Sequence, residues 1–375
     1  MTGDPVLQFL ARGVAALSRG DTGPLPDPPN PPANGKRLVA LAAHHGLAGW
    51  VERWLPEDHP DRTAVGAVAS LAAVRSMETC GALLDLAQAL DAADIPFLQF
   101  KGPSTAIRYH GDIRLRPFMD LDVLVPPQSM DEACRAAEAA GFHLDPAYDT
   151  EHQPRLQPKH LSHIRGAVRL EIHRRLADFP GLDAPAEQFL ADRTCFEVSG
   201  RKIPALNPTH ALWHAATHGT GHAFLALKWL ADLALMSRDT RALESGLEMA
   251  SRTGMAASFL CGMAMLADLG VELPDAVRRP LDHRYRQLRG LVARSWQALE
   301  VPHTGLALTA HRLRMLPPTL RLRRVAQLGF TPNARDWTAV PWLHPDTPIV
   351  FSVIRPVRLM WRTFQELSKQ RGARP

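Results

Sequence analysis

Apolar and polar positions change their rhythm twice along the 375 residues. Residues 36–55, KRLVALAAHHGLAGWVERWL, carry apolar side chains at helical spacing, and a longer Ala/Leu-rich helical pattern runs from about Arg62 to Ala93. Between the N-terminal helical stretch and these lies GDTGPLPDPPNPPANG, residues 20–35, too rich in Pro and Gly for a helix or sheet interior and read as a loop or linker. At Pro96 the texture shifts to short alternating runs. PFLQFKG reads as a strand ending in a Lys-Gly turn, STAIRYH as a short helix, and DLDVLV as a strand. SMDEACRAAEAAG reads as a helix stopped by Gly141. LSHIRG and AVRLEIHRRL are strands either side of a Gly166 turn, and CFEVSGRKIPAL is a hairpin turning at Ser199-Gly200. From NPTHALWHAATHG onward helical patterns return. The pattern predicts an α/β core with a small mixed sheet, flanked by helical regions: 1–93 helical, 94–206 mixed, 207–375 helical.

Composition narrows the picture modestly. Hydrophobic residues make up 46 % and charged residues 22 %, as in ordinary globular proteins. The net charge is +5 and the pI about 9.3, with arginine outnumbering lysine, which suits an anionic partner without naming it. Cys80, Cys134, Cys195 and Cys261 are scattered and form no CxxC pair, so neither a disulfide framework nor a zinc knuckle is expected. No signal peptide is read in MTGDPVLQFLARG, and the apolar tracts around 223–236 and 255–271 are interrupted by Lys228, Asp232 and Asp268. A cytoplasmic location is the expectation.

The chemistry concentrates in RLRPFMDLDVLV, residues 114–125. On a strand, side chains alternate, so Asp120 and Asp122 share one face while Leu121 and Val123 enter the core behind them. Two adjacent carboxylates repel unless a cation offsets them, and relief of that repulsion predicts that an Asn in place of either stabilises the fold. Hard oxygen ligands suit Mg²⁺ or Mn²⁺ together with substrate phosphates. A third acid, Glu171, lies in VRLEIHRRL on a face shared with Arg169 and His173.

LQFKG, RYHGDIRLRPFMDLDVLV and VRLEIHRRL together resemble the nucleotidyltransferase superfamily that includes DNA polymerase beta, and more narrowly a bacterial nucleotidyltransferase family with Lys-Gly, R..DxD and vElH motifs. The likeness extends through LKWLADLAL and weakly to IRPVRL. It implies a small α/β sheet, with Asp120, Asp122 and Glu171 as metal ligands and catalytic acids. It further implies transfer of a nucleoside monophosphate from an NTP, ATP among them, to a hydroxyl acceptor with release of pyrophosphate. The superfamily's Gly-Gly or Gly-Ser pair is replaced here by Lys101-Gly102-Pro103-Ser104. Gly102 allows close backbone approach, Ser104 caps the short helix toward a phosphate, and Lys101 supplies a point charge. Arg116 orients the strand or touches phosphate. Lys228, in the place of the lysine with which antibiotic-type relatives grip phosphates, completes the nucleotide-binding set, and Asp232 one turn on is a further candidate.

Other features have blander readings. His210, His214, His218 and His222 step by four, but Gly219 and Gly221 are expected to break the helix, and no zincin-like Glu accompanies them. They are expected to pack beside the site. The basic segments 311–324 and 354–375 read as solvated faces, with acceptor binding or an anionic membrane surface as the functional options. The acceptor is left open among a small molecule, a protein or peptide, and RNA. A non-catalytic nucleotide-, RNA- or protein-binding module is the alternative.

Overall fold

The computed structural model describes residues 3–145, 159–177, 182–281, 296, 305–330, 350 and 352–361. The chain forms two compact units: Met1–His143 with Lys159–Thr304, and Leu144–Pro158 with Gly305–Pro375.

The first unit opens with four helices: α1 (Pro5–Arg19), α2 (Pro31–His44), α3 (Ala48–Trp54) and α4 (Arg62–Ala92). The Pro-rich run does not stay irregular to residue 35. Asn30 sits at the N-cap and Pro31-Pro32 begin α2, because proline's missing N–H costs nothing in a first helical turn. The stretch 36–55 is two helices rather than one, divided where Gly46 takes a φ of 66°. By length and composition α4 could cross a membrane. Its C-terminal half instead lies in the core, with Ala82, Leu83, Leu86, Ala87 and Leu90 packed beneath the sheet.

Among the described residues seven strands follow: β1 (Leu98–Phe100), β2 (Asp120–Leu124), β3 (His143–Leu144), β4 (His160–Arg165), β5 (Val168–His173), β6 (Thr194–Val198) and β7 (Arg201–Ala205). Their order is β3-β4-β5-β2-β1-β7-β6. The sheet is mixed: β2 runs parallel to β5 and β1 to β7, and the other assigned pairings are antiparallel. Helix α5 (Gly102–Thr105) and a π-helical turn (Ala106–His110) link β1 to β2, and α6 (Met130–Ala139) links β2 to β3. The hairpins turn where expected, at Gly166 (φ 57°) and at Ser199-Gly200 (φ 48° and 81°).

The two faces of the sheet differ. Leu121, Val123, Leu170 and Ile172 point to one side and merge with α4 and α6 into a dry core. On the other side β1, β2, β5 and β4 carry Phe100, Asp122, Glu171 and His160, and α8 (Pro208–Gly221) supplies His214, whose ring meets Phe100 edge-on at 5.0 Å. The glycines do not break α8 early. Gly219 stays within the helix, and the Phe224 ring fills the space where its Cβ would stand, 2.3 Å away, as the chain folds back. After short α7 (Ala186–Ala191), the described residues of this unit also form α9 (Leu227–Met236), α10 (Thr240–Arg252), α11 (Ala256–Asp268) and α12 (Asp275–Arg278).

The second unit holds helices Gly305–Met315 and Pro318–Phe330 and a helix over 352–361. Leu322, Val325, Phe330, Val353, Val357, Met360 and Trp361 are exposed on them. The basic tail beyond residue 361 lies outside the described residues.

Candidate active site

Register builds the site. The parallel pairing of β2 with β5 sets Asp122 beside Glu171 and Leu124 beside His173. The antiparallel hairpin then sets His160 beside His173 and Ser162 beside Glu171. Three strands therefore place two carboxylates and two imidazoles on one face. His173 Nε2 donates toward Asp122 Oδ1 at 3.0 Å and lies 3.2 Å from Glu171 Oε2, while His160 Nε2 lies 3.8 Å from Glu171 Oε1.

Asp122 is 1 % exposed. Lys101 Nζ donates to its Oδ1 at 2.8 Å, so both of its partners sit on one oxygen, and Oδ2 is buried with no hydrogen-bond partner. Burial works to raise this carboxyl's pKa, but the Lys101 charge and the His173 hydrogen bond outweigh it and hold the group well below the usual carboxylate range. Glu171 is lowered too: burial opposes, and the His173 hydrogen bond prevails. Burial and the neighbouring His173 push His160 down to about 4, leaving a neutral imidazole at neutral pH.

Lys101 reaches Asp122 from a φ of 60°, an uncommon conformation for a residue with a Cβ. Buried Gln99 holds this turn, donating to Phe100 O at 2.8 Å and accepting from Ser104 N at 3.0 Å. Gly102 suits the close approach here, since a Cβ would lie a tight 3.1 Å from Asp120 O. The Ser104 hydroxyl donates to Lys101 O at 3.0 Å.

Asp120, Glu171, His160 and His173 line one side of a cavity of about 350 Å³. Lys101, Arg116, Lys228, His218, His222 and Trp229 also line it. Lys228 is not a free surface lysine. Its stem crosses Gly46, whose Cβ would lie 2.8 Å from Lys228 Cδ, and burial together with the Arg116 charge lowers its pKa. Trp229 packs on the ring of His222 at 5.4 Å, and His218 stacks on His214. Burial and the Lys101 charge hold both His214 and His218 well below the usual histidine range.

Arg116 is clamped by Asp232, with Nη2 to Oδ2 at 2.9 Å and Nε to Oδ1 at 3.1 Å. His110 Nε2 also bonds Asp232 Oδ1 at 2.8 Å, and Trp50 Nε1 donates to His110 Nδ1 at 2.9 Å. Because indole N–H can only donate, His110 is the neutral tautomer protonated on Nε2. This network joins α3, the π-helical turn, the loop before β2 and α9.

Of the residues singled out from sequence, Asp120, Glu171, Lys101, Arg116 and Lys228 meet at the cavity, and Asp122 lies beneath it. Gly102 shapes the turn, and Ser104 lines an adjoining narrow pocket of about 30 Å³ that shares Lys101, Arg116, His218 and Trp229 with the cavity. Sequence reasoning missed His160, Gln99, His110 and Trp50. The Gly166 hairpin could have supplied the first: once Arg165 pairs with Val168, alternation puts His160 opposite His173.

The family described as uncharacterised nucleotidyltransferase matches residues 31–270. The chain belongs to this nucleotidyltransferase family. No curated protein matches it. Among solved structures, the antibiotic-resistance factor ANT(2'')-Ia shows a loose likeness: TM-score 0.34, 15 % identity, 52 % of this chain and 97 % of the other.

Proposed function

We propose that the protein is an enzyme that moves a nucleoside monophosphate from an NTP to a hydroxyl acceptor, with pyrophosphate released. The carrying observation is that Asp120 and Glu171 open onto the cavity above a buried Asp122 whose Oδ2 has no partner. The donor set fits a divalent cation: three carboxylates within one register of β2 and β5, one with a lone pair left unsatisfied. Asp120, Asp122 and Glu171 would hold it, and when bound it would offset the negative charge of the triphosphate. Lys228 and Lys101 add positive charge for the phosphates. Arg116 orients the segment entering β2 through its clamp on Asp232.

In the transfer, the acceptor oxygen bonds to the α-phosphorus. The bond from that phosphorus to the oxygen bridging toward the β-phosphate breaks, and its electron pair leaves with pyrophosphate. The acceptor's proton passes to a cavity carboxylate, Glu171 being placed to take it. Positioning and charge compensation supply the rate gain, as in phosphoryl transfer generally. Incubating the protein with each labelled NTP, Mg²⁺ or Mn²⁺, and a host lysate tests this, since the size of the labelled product identifies the acceptor as small molecule, protein or RNA. Transfer that persists in Asp120→Asn would remove the mechanism.

A second reading is a non-catalytic nucleotide-binding module. One observation favours it: Lys101 Nζ already compensates Asp122. NTP binding with no labelled product across the whole lysate screen would select it.

A further inference from the structure

Outside the three acids read from sequence, the sheet face carries two imidazoles that an all-oxygen site does not need. We propose that His160, Glu171 and His173, with Asp122 behind them, form a mixed nitrogen–oxygen site that takes a transition metal of the Zn²⁺ or Co²⁺ kind in preference to Mg²⁺.

Three observations and one chemical preference carry the assignment. One donor atom from each of His160, Glu171 and His173 lies within 4.8 Å of the others. Zinc–ligand bonds of about 2.0–2.2 Å put tetrahedral donors roughly 3.3–3.6 Å apart. The separations here, 3.0 Å from His173 Nε2 to Asp122 Oδ1, 3.2 Å to Glu171 Oε2 and 3.8 Å from His160 Nε2 to Glu171 Oε1, straddle that range before any ion draws them in. Independently, Asp122 is 1 % exposed and its Oδ2 has no partner, a buried acceptor left for something that is not protein. The chemistry then chooses among cations. Imidazole suits Zn²⁺ and its neighbours in the first transition row, whereas Mg²⁺ seeks oxygen and keeps its water.

The geometry also bounds the affinity. A metal on His173 Nε2 moves that ring's proton to Nδ1, which is buried with no hydrogen-bond partner from the protein. Ligating histidines that lack such a buttress bind about 10–100-fold more weakly. The site therefore binds reversibly rather than holding a permanent structural ion. What the metal is used for rests on the transfer reading above, but its binding is measured separately.

The test is titration of the full chain with Co²⁺ alone, read by visible d–d absorption, which is far stronger for a four- or five-coordinate imidazole-containing site than for an octahedral all-oxygen one. The expected result is a one-to-one band, removed by stoichiometric Zn²⁺ and untouched by a large excess of Mg²⁺. His160→Ala should weaken Co²⁺ at least about tenfold. His160 sits toward the rim of the sheet, so its melting curve should match wild type; Glu171→Gln serves as the second variant. No band, displacement by equimolar Mg²⁺, or unchanged binding in both folded variants overturns the assignment. Mg²⁺-driven transfer without a Co²⁺ band sinks the metal site alone, and a Co²⁺ band without transfer under any cation sinks the transferase alone.

Discussion

Two buried aspartates in this protein are each held by one cation and one histidine, and they end in opposite conditions. Asp232 on α9 takes Arg116 and His110, and its two oxygens are both engaged. Asp122 on β2 takes Lys101 and His173, both on Oδ1, and Oδ2 is left over. The partners differ as well. Arg116 grips with two nitrogens and its side chain is 7 % exposed, whereas Lys101 is a single point charge 18 % exposed at the cavity wall. The first set is closed and works as a strut between helical and sheet regions. The second is open, and its spare lone pair and a cation at the cavity wall are what a ligand-binding centre needs. An aspartate, a basic residue and a histidine thus serve rigidity in one place and chemistry in another, and the count of satisfied oxygens separates the two.

The sharpest way to break the comparison is to remove Asp232. Asp232→Ala leaves the Arg116 guanidinium buried without its counter-charge, and breaking a buried pair from one side costs about 3–5 kcal/mol. Urea unfolding should report that loss, along with weakened transfer because the entry to β2 is no longer braced. A loss below about 1 kcal/mol would mean that the strut carries no load.

Acid should expose the next largest effect. Burial holds His110 below the ordinary 6.5, and burial pushes His45 to about 4. The unfolded chain protonates these rings near pH 6.5 and the folded chain does not until lower pH, so between the two values the unfolded state binds more protons. Stability is then fully present above about pH 7 and falls as pH drops through 6.5, by up to about 1.4 kcal/mol per pH unit for each buried histidine. Asp232, depressed below 3.8, adds loss of the same sign only below about pH 4. Urea midpoints from pH 8 to pH 5 should decline accordingly. A flat profile across that window would show that the histidines are hydrated or charged in the native state.

How much of this was readable beforehand follows from which interactions are local. Alternation in DLDVLV and VRLEIHRRL, the Gly166 and Ser199-Gly200 turns, and the Gly141 stop are properties of neighbours in sequence, and the mixed core with its acid-bearing face came from them. The Asp232–Arg116–His110–Trp50 set joins four separate segments of the chain, and no spacing rule links a tryptophan at 50 to an aspartate at 232. Buried Gln99 was invisible for a related reason: a polar residue within a strand says nothing about the turn it will hold. Helix α2 starts earlier than the Pro-rich composition predicts, because Pro31-Pro32 serve as its first turn rather than as a breaker. Gly219 misled because its reason, room for the Phe224 ring, is tertiary.

Lys228 probes the open side from across the cavity. Lys228→Ala should raise the apparent KM for NTP about tenfold, corresponding to about 1.4 kcal/mol of uniform binding. Lys228→Arg should recover only part of it, since Gly46 leaves the lysine stem little room to reposition a larger head. Unchanged NTP affinity in a folded Lys228→Ala protein would confine the phosphates to the Lys101 side.

The smallest effect on stability is expected at Asp122, the residue that matters most to the proposed chemistry. Repulsion between paired acids, considered alone, predicts that Asp122→Asn stabilises the fold. The structure alters that balance, because Lys101 and His173 already compensate Asp122, so removing its charge forfeits an attraction as well. Unlike Arg116, Lys101 is not stranded by the change: Asp120 and Glu171 also act on it favourably, and it lies at the cavity wall. An Asn carbonyl at nearly constant shape can still accept from Lys101 or His173. The two contributions offset, and Asp122→Asn should unfold within about 1 kcal/mol of wild type, the scale of one ordinary hydrogen bond, while transfer falls to background. A loss at Asp122 as large as that at Asp232 would show that both sets are struts, and the division between a closed and an open aspartate would fail.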